Sequence, residues 1–117
     1  MRILIADDDP LQRAIVRIVI LHYFPSAIVT EAPDGQSALA AYDTNGMDAI
    51  ITDIHMPIMD GLALTRTIRL QNRTIPIIVV SSAPDSEPPA RQAGASHYLA
   101  KTALLTHLPQ VLTEILG

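Results

Sequence analysis

The feature that most restricts this chain is a set of short apolar runs without alternation: Ile3-Leu4-Ile5-Ala6, Ala49-Ile50-Ile51, Ile77-Ile78-Val79-Val80 and Tyr98-Leu99-Ala100. A strand with one face in water alternates apolar and polar residues, whereas a strand covered on both faces does not. Between the runs lie stretches with apolar residues at helical spacing: Leu11, Ala14, Ile15, Ile18 and Val19; Ala38, Leu39 and Tyr42; Leu64 and Ile68; Leu108, Val111, Leu112 and Ile115. With Ala27–Glu31 as a further short strand and a short helix near Pro88 that must stop by Gly94, the order is five strands alternating with five helices. That alternation predicts an α/β fold: a doubly wound parallel sheet with right-handed crossovers and helices on both faces.

Punctuation residues set the boundaries. Asp9 and Pro10 open the first helix as N-cap and first helical residue, and Pro25 ends it. Pro33-Asp34-Gly35 turns the chain into the second helix, which Asn45-Gly46 stops. The third is expected from Gly61 to Leu70, with Arg66, Arg69 and Arg73 facing solvent. Pro84, Pro88 and Pro89 remove donors and fix φ, so a fourth helix is confined to about two turns starting near Pro88 and ending by Gly94. Pro109 is expected in the first turn of the last helix, with Thr106 as its N-cap.

In an open parallel sheet, ligands bind beyond the carboxyl ends of the strands. Polar groups stand at four of those ends. The first run meets Asp7-Asp8-Asp9. The stretch Asp48 to Gly61 delivers Asp53 and then breaks into a loop, the third run ends in Ser81-Ser82, and the fourth ends in Lys101, the only lysine of the chain. Carboxylates at about 5 Å repel by roughly 3 kcal/mol per pair at an effective dielectric of 20, so three of them call for a cation. A hard divalent ion and Lys101 meet that need. Each residue alone has a plainer use: aspartate and serine cap helices, and lysine lies along surfaces. Their convergence on neighbouring strand ends outweighs those uses, with capping left to Asp9. His55 has no partners at ligand spacing for its imidazole.

Composition excludes other chemistry. With no cysteine there are no disulfides, iron–sulfur clusters or thiol nucleophiles. A net charge of −4 offers no basic footprint, so direct nucleic-acid binding by this segment is not expected. No apolar run approaches the roughly 20 residues of a membrane span, and no signal peptide is legible, so a soluble cytoplasmic protein is expected.

The motifs ILIADDDP, ITDIHMPIMDG, PIIVVSS and AGASHYLAK resemble, in order and spacing along nearly the whole chain, the receiver domain of two-component response regulators. The resemblance implies a flavodoxin-like sheet of strand order 2-1-3-4-5, as in chemotaxis receivers, with residues 1–117 as one receiver domain. It implies Asp53 as phospho-acceptor and Mg2+ as cofactor, held by Asp8, Asp53 and the backbone carbonyl of His55, with Asp7 holding a metal-bound water. Lys101 and Ser81 would bind the phosphoryl oxygens, and Ser81 and Tyr98 would form the switch. The implied partner is a sensor histidine kinase or a phosphotransfer protein. A homodimer would use either helix 1 and helix 5 or the helix 4–strand 5–helix 5 face, and neither nucleic acid nor membrane would be bound directly. Such a domain is a phosphoprotein of a phosphorelay that catalyses only its own phosphorylation and dephosphorylation, with transcription regulation among the family's outputs.

This sequence departs from the family pattern in three places. Thr102 follows Lys101 where most receivers have proline, Ser81 replaces the commoner threonine, and the segment from Ser81 to Lys101 is short and rich in proline. The last point predicts a shortened fourth helix. Ending just after the last helix, the chain fits either a single-domain regulator or the front of a longer protein with a C-terminal output domain. Two rivals stand beside this reading. Asp7-x-Asp9 also resembles the nucleophile motif of haloacid-dehalogenase-like phosphatases, but a late acidic pair and a cap domain are missing. A phosphorylation-independent pseudo-receiver is opposed by the nearly full set of polar groups.

Overall fold

Strands β1 (Arg2–Ala6), β2 (Ile28–Ala32), β3 (Ala49–Asp53), β4 (Ile77–Ser81) and β5 (His97–Ala100) alternate with helices α1 (Pro10–Tyr23), α2 (Gly35–Asn45), α3 (Gly61–Gln71), α4 (Glu87–Ala93) and α5 (Leu104–Leu116) in the computed structural model, which describes residues 1–116. The strands form one parallel sheet in the order β2-β1-β3-β4-β5. Every residue of β3 and β4 is buried, which is why their sequences do not alternate. On one face Leu4, Ala6, Ile50, Ile77 and Val79 meet Ala38 of α2, Leu64 and Ile68 of α3 and Ala90 of α4. On the other, Ile3, Ile5, Ile51, Ile78, Val80 and Leu99 meet Val16, Val19 and Ile20 of α1 and Leu104, Leu108 and Leu112 of α5. Each fully buried Ile or Leu contributes about 1.5–3 kcal/mol, so the central strands form a stiff floor under the loops that follow them.

Aspartates start three helices. The side chains of Asp9, Asp34 and Asp60 accept hydrogen bonds from the N–H groups of Leu11 (2.9 Å), Ser37 (2.7 Å) and Ala63 (2.8 Å). Gly46, at φ 66°, closes α2 in a conformation that suits glycine. Helix α4 has seven residues, the two turns that its prolines allow.

Three expectations need correction. Of the α1 residues expected to face the sheet, Val19 is buried and Ile15 partly so, but Leu11, Ala14 and Ile18 are exposed, Leu11 and Ile18 at 68% and 67%, and Val16 and Ile20 are buried in their place. Helix α1 is apolar nearly all round, so periodicity leaves its rotation open. Two arginines on one edge set it: Arg13 donates to the carbonyl of Asp7 (2.6 Å) and to Glu31 (3.1 Å), and Arg17 reaches Glu31 (3.3 Å).

Pro109 lies inside α5 rather than in its first turn, and Thr106 is not the N-cap. A 3-10 turn, Lys101–Ala103, leads straight into the helix, and Thr106 Oγ1 bonds back to the carbonyl of Ala103 (3.1 Å). The carbonyl left without a donor by Pro109 is that of Leu105, an exposed residue that water can serve.

Arg69 is not a solvated surface charge. Its guanidinium donates to the carbonyls of Gly94 (2.8 Å), Asn72 (3.2 Å) and Ile75 (2.7 Å), tying the end of α3 to the start of β4 and the end of α4. Burial lowers its pKa from the ordinary 12.5.

Candidate functional site

Register brings the polar strand ends together. Ala6 pairs with Thr52, Asp53 with Val80, and Ser81 with Ala100, so Asp7, Asp53, Ser81 and Lys101 leave adjacent strands along one edge of the sheet. Two of the carboxylates are fixed by the backbone beside them. Asp7 Oδ1 accepts the N–H of Asp9 (2.9 Å), and Asp53 Oδ1 accepts the N–H of Ile54 (2.8 Å). Lys101 Nζ donates to Asp53 Oδ2 (3.2 Å) and stands 3.9 Å from Asp7 Oδ2.

The loop after β3 is packed so closely that glycine is required at its end. A Cβ on Gly61 would stand 1.8 Å from the carbonyl oxygen of Asp53, and the hydroxyl of Thr52 donates to that same oxygen (2.8 Å). Ile58 in this loop has φ 71° and is exposed, a strained conformation for a β-branched residue.

Oxygens of Asp7, Asp8 and Asp53 lie within 4.8 Å of one another, with Asp7 and Asp53 buried and Asp8 open to solvent. Burial pushes the Asp7 carboxyl up from 3.8 to about 6; the N–H of Asp9 opposes this, and the neighbouring Asp53 charge adds to it. One lysine faces three carboxylates, so the cluster carries surplus negative charge, and its all-oxygen donor set fits a hard divalent cation.

The other expected residues take distinct places. Ser81 is buried at the end of β4, and its Oγ accepts the N–H of Ala83 (3.0 Å). His55 lies exposed in the loop after β3, and its imidazole is not part of the acidic cluster. Tyr98 is half-buried on β5, with its Oη 3.1 Å from the carbonyl of Ala83 and 2.6 Å from Ser86 Oγ. The Lys101–Thr102 bond is trans, as are all peptide bonds among the described residues. Asp9 caps α1 and is not part of the acidic cluster.

Two residues of this region have no counterpart in the sequence reading. Arg13 grips the Asp7 carbonyl, and its place one turn beyond Asp9 on α1 was the available signal. Ser86 joins Tyr98 to the loop after β4, and the only hint was a serine just ahead of Glu87-Pro88-Pro89.

Residues 3–113 match the family of response regulator receiver domains. The chain belongs to that family. This receiver is similar to the receiver domain of a sensor histidine kinase from Pseudomonas aeruginosa, solved with a magnesium ion coordinated in the active-site cleft. The two share 29% identity with a TM-score of 0.86, over 97% of this chain and 95% of that one. Response regulator TrrA of Thermotoga maritima, solved with magnesium and BeF, gives a TM-score of 0.88 at 25% identity, over 98% of each chain. Among curated proteins, the glycerol metabolism activator of Pseudomonas putida is 34% identical over 119 residues, covering 99% of the receiver and 54% of that relative. The receiver spans about half or less of the length of the curated relatives it matches. No helix among the described residues is long and apolar enough to cross a membrane.

Proposed function

We propose that this receiver accepts a phosphoryl group on Asp53 from the phosphohistidine of a sensor kinase or a phosphotransfer protein. The observation that carries this is the placement of Asp53: one oxygen on a backbone N–H, the other on the only lysine, with Asp7 and Asp8 within 4.8 Å. A carboxylate oxygen of Asp53 forms the new O–P bond, and the P–N bond of the donor breaks with its electron pair leaving on the imidazole. Lys101, already beside Asp53, neutralises charge on the transferring oxygens. Ser81, buried at the next strand end, supplies a hydroxyl to those oxygens once it releases the Ala83 N–H. Asp8, Asp53 and the backbone carbonyl of His55 would hold magnesium, with Asp7 placed to hold a water beside it. When bound, the ion offsets the carboxylate charge that would otherwise repel an anionic donor.

The donor docks over the exposed Leu11, Ala14 and Ile18 stripe of α1, an apolar surface whose first turn lies just beyond the acidic cluster. Output passes through the loop after β4 and Tyr98 to a partner, to a second copy through α1 and α5 or through α4, β5 and α5, or to an output domain of a longer protein. The catalysis is confined to the domain's own phosphorylation and dephosphorylation.

The phosphatase reading with Asp7 as nucleophile needs Asp9 at the reacting centre. Asp9 instead spends its side chain on the N–H of Leu11. Acetyl phosphate treatment followed by mass spectrometry tests the assignment. The native protein should gain one phosphoryl mass only with magnesium present, and Asp53→Asn should gain none. An undiminished adduct on Asp53→Asn, or one mapped to Asp7, would remove Asp53 from the role.

A further inference from the structure

Three oxygens meet beside β5: the Ala83 carbonyl, Ser86 Oγ and Tyr98 Oη. Their separations are 2.7 Å from Ser86 to Ala83, 2.6 Å from Ser86 to Tyr98 and 3.1 Å from Tyr98 to Ala83. Only two protons are available, one on each hydroxyl, so at most two of the three bonds exist at once. The two short edges share Ser86. Ser86 donating to the Ala83 carbonyl while Tyr98 donates to Ser86 satisfies both, and the direct contact from Tyr98 to the backbone is the long edge. Ser86 therefore stands between the tyrosine and the loop.

This serine is free for that role because of the prolines that follow it. A serine at an N-cap ordinarily accepts a bond from the second or third N–H of its helix. Ser86 occupies the N-cap of α4 and makes no such bond. The second and third helical residues are Pro88 and Pro89, which have no N–H to offer. The prolines that shorten α4 thus release a hydroxyl, which is buried and turned toward β5.

The same network reaches the phospho-acceptor edge. Ala83, whose carbonyl takes the Ser86 bond, gives its N–H to Ser81 Oγ. A rotation of the Ser81 hydroxyl toward a phosphoryl oxygen frees that N–H and unseats Ala83. On its outer side the loop has room to move, because Ala83, Pro84 and Ser86 line an open groove of about 300 Å³ bounded opposite by Ile54 and Leu62.

We propose that Ser86 is a positioning residue for the Tyr98 switch, relaying displacement of the loop after β4 to the tyrosine through its hydroxyl. The proposal rests on the receiver function assigned above for its trigger, but the resting arrangement stands by itself. Fluorine NMR of protein carrying 3-fluorotyrosine separates the two, with Tyr23 and Tyr42 as internal references. In Ser86→Ala without phosphoryl analogue, the Tyr98 resonance should move and change width while Tyr23 and Tyr42 stay in place. With magnesium and beryllofluoride the variant should bind with affinity within about twofold of native, since Ser86 touches no group at Asp53, yet lose at least half of the Tyr98 response. Ser86→Thr, which keeps the hydroxyl, should restore the response.

A Tyr98 resonance in Ser86→Ala that matches native in both states would overturn the proposal, as would equal disturbance of all three tyrosines. If beryllofluoride fails to bind the native protein, the assignment of Asp53 fails instead, and the resting spectra alone decide on Ser86.

Discussion

At the ends of β1 and β3, Asp7 and Asp53 each lean on a backbone N–H, and their loops are tied down by Arg13 and by the close pass of Gly61. In the loop after β4 and on the neighbouring β5 the restraints are hydroxyls: Ser81 on Ala83, Ser86 on Ala83, and Tyr98 on Ser86. A backbone donor is fixed by the fold, whereas a hydroxyl swaps partners by rotating one bond. One half of the site thus holds charge in place while the other can respond to it. Lys101, at the end of β5, bridges them through Asp53 and Asp7.

The sharpest way to break the stiff half is Gly61→Ala. Its new Cβ would press on the Asp53 carbonyl, and a loss of about 3 kcal/mol or more in denaturant unfolding is expected; a loss below about 1 kcal/mol would mean that the loop is not held as described. Removing the bridge with Lys101→Met should slow modification of Asp53 by acetyl phosphate by roughly a hundredfold, read from initial rates.

Asp7→Asn should stabilise the metal-free domain at neutral pH by about 1 kcal/mol, after discounting for partial solvent access. The sign follows from the raised Asp7 pKa. A carboxyl that ionises near 6 folded and 3.8 unfolded favours the fold fully below 3.8 and loses that contribution as pH rises through about 6. Thermal melts at several pH values should therefore show the gain of the variant growing with pH through that window, and magnesium should shrink it.

Smallest is the contrast between two neighbours. Asp9→Ala should cost about 1 kcal/mol of stability as a lost cap while barely altering magnesium titrations. Asp8→Ala should weaken magnesium binding and leave the melt nearly unchanged. Equal effects of the two on magnesium would mean that the division of labour within Asp7-Asp8-Asp9 is wrong.

What could be read from the chain followed from locality. Strands buried on both faces announce themselves without alternation, caps lie within a few residues of the N–H they serve, and parallel register carries every strand end to one edge. Asp7, Asp8, Asp53, Ser81 and Lys101 were visible for that reason. What stayed hidden depended on distant partners. Arg69 looked solvated because its Gly94 carbonyl lies 25 residues away, and the rotation of α1 was hidden because apolar residues surround it. Pro109 misled because a 3-10 turn lengthened the helix ahead of it. Ser86 needed the three oxygen separations before its protons could be counted.

The lone lysine gives chemists an unusual handle. Its ε-amine is the only one in the chain, and it sits clasped between Asp53 and Asp7. An amine-directed acylating reagent, ordinarily a blunt tool that scatters label over a surface, here has one side-chain target at the centre of the site. The speed at which that nitrogen is acylated becomes a stopwatch for how tightly its neighbours hold it, and anything that alters the charge beside Asp53 should change the reading.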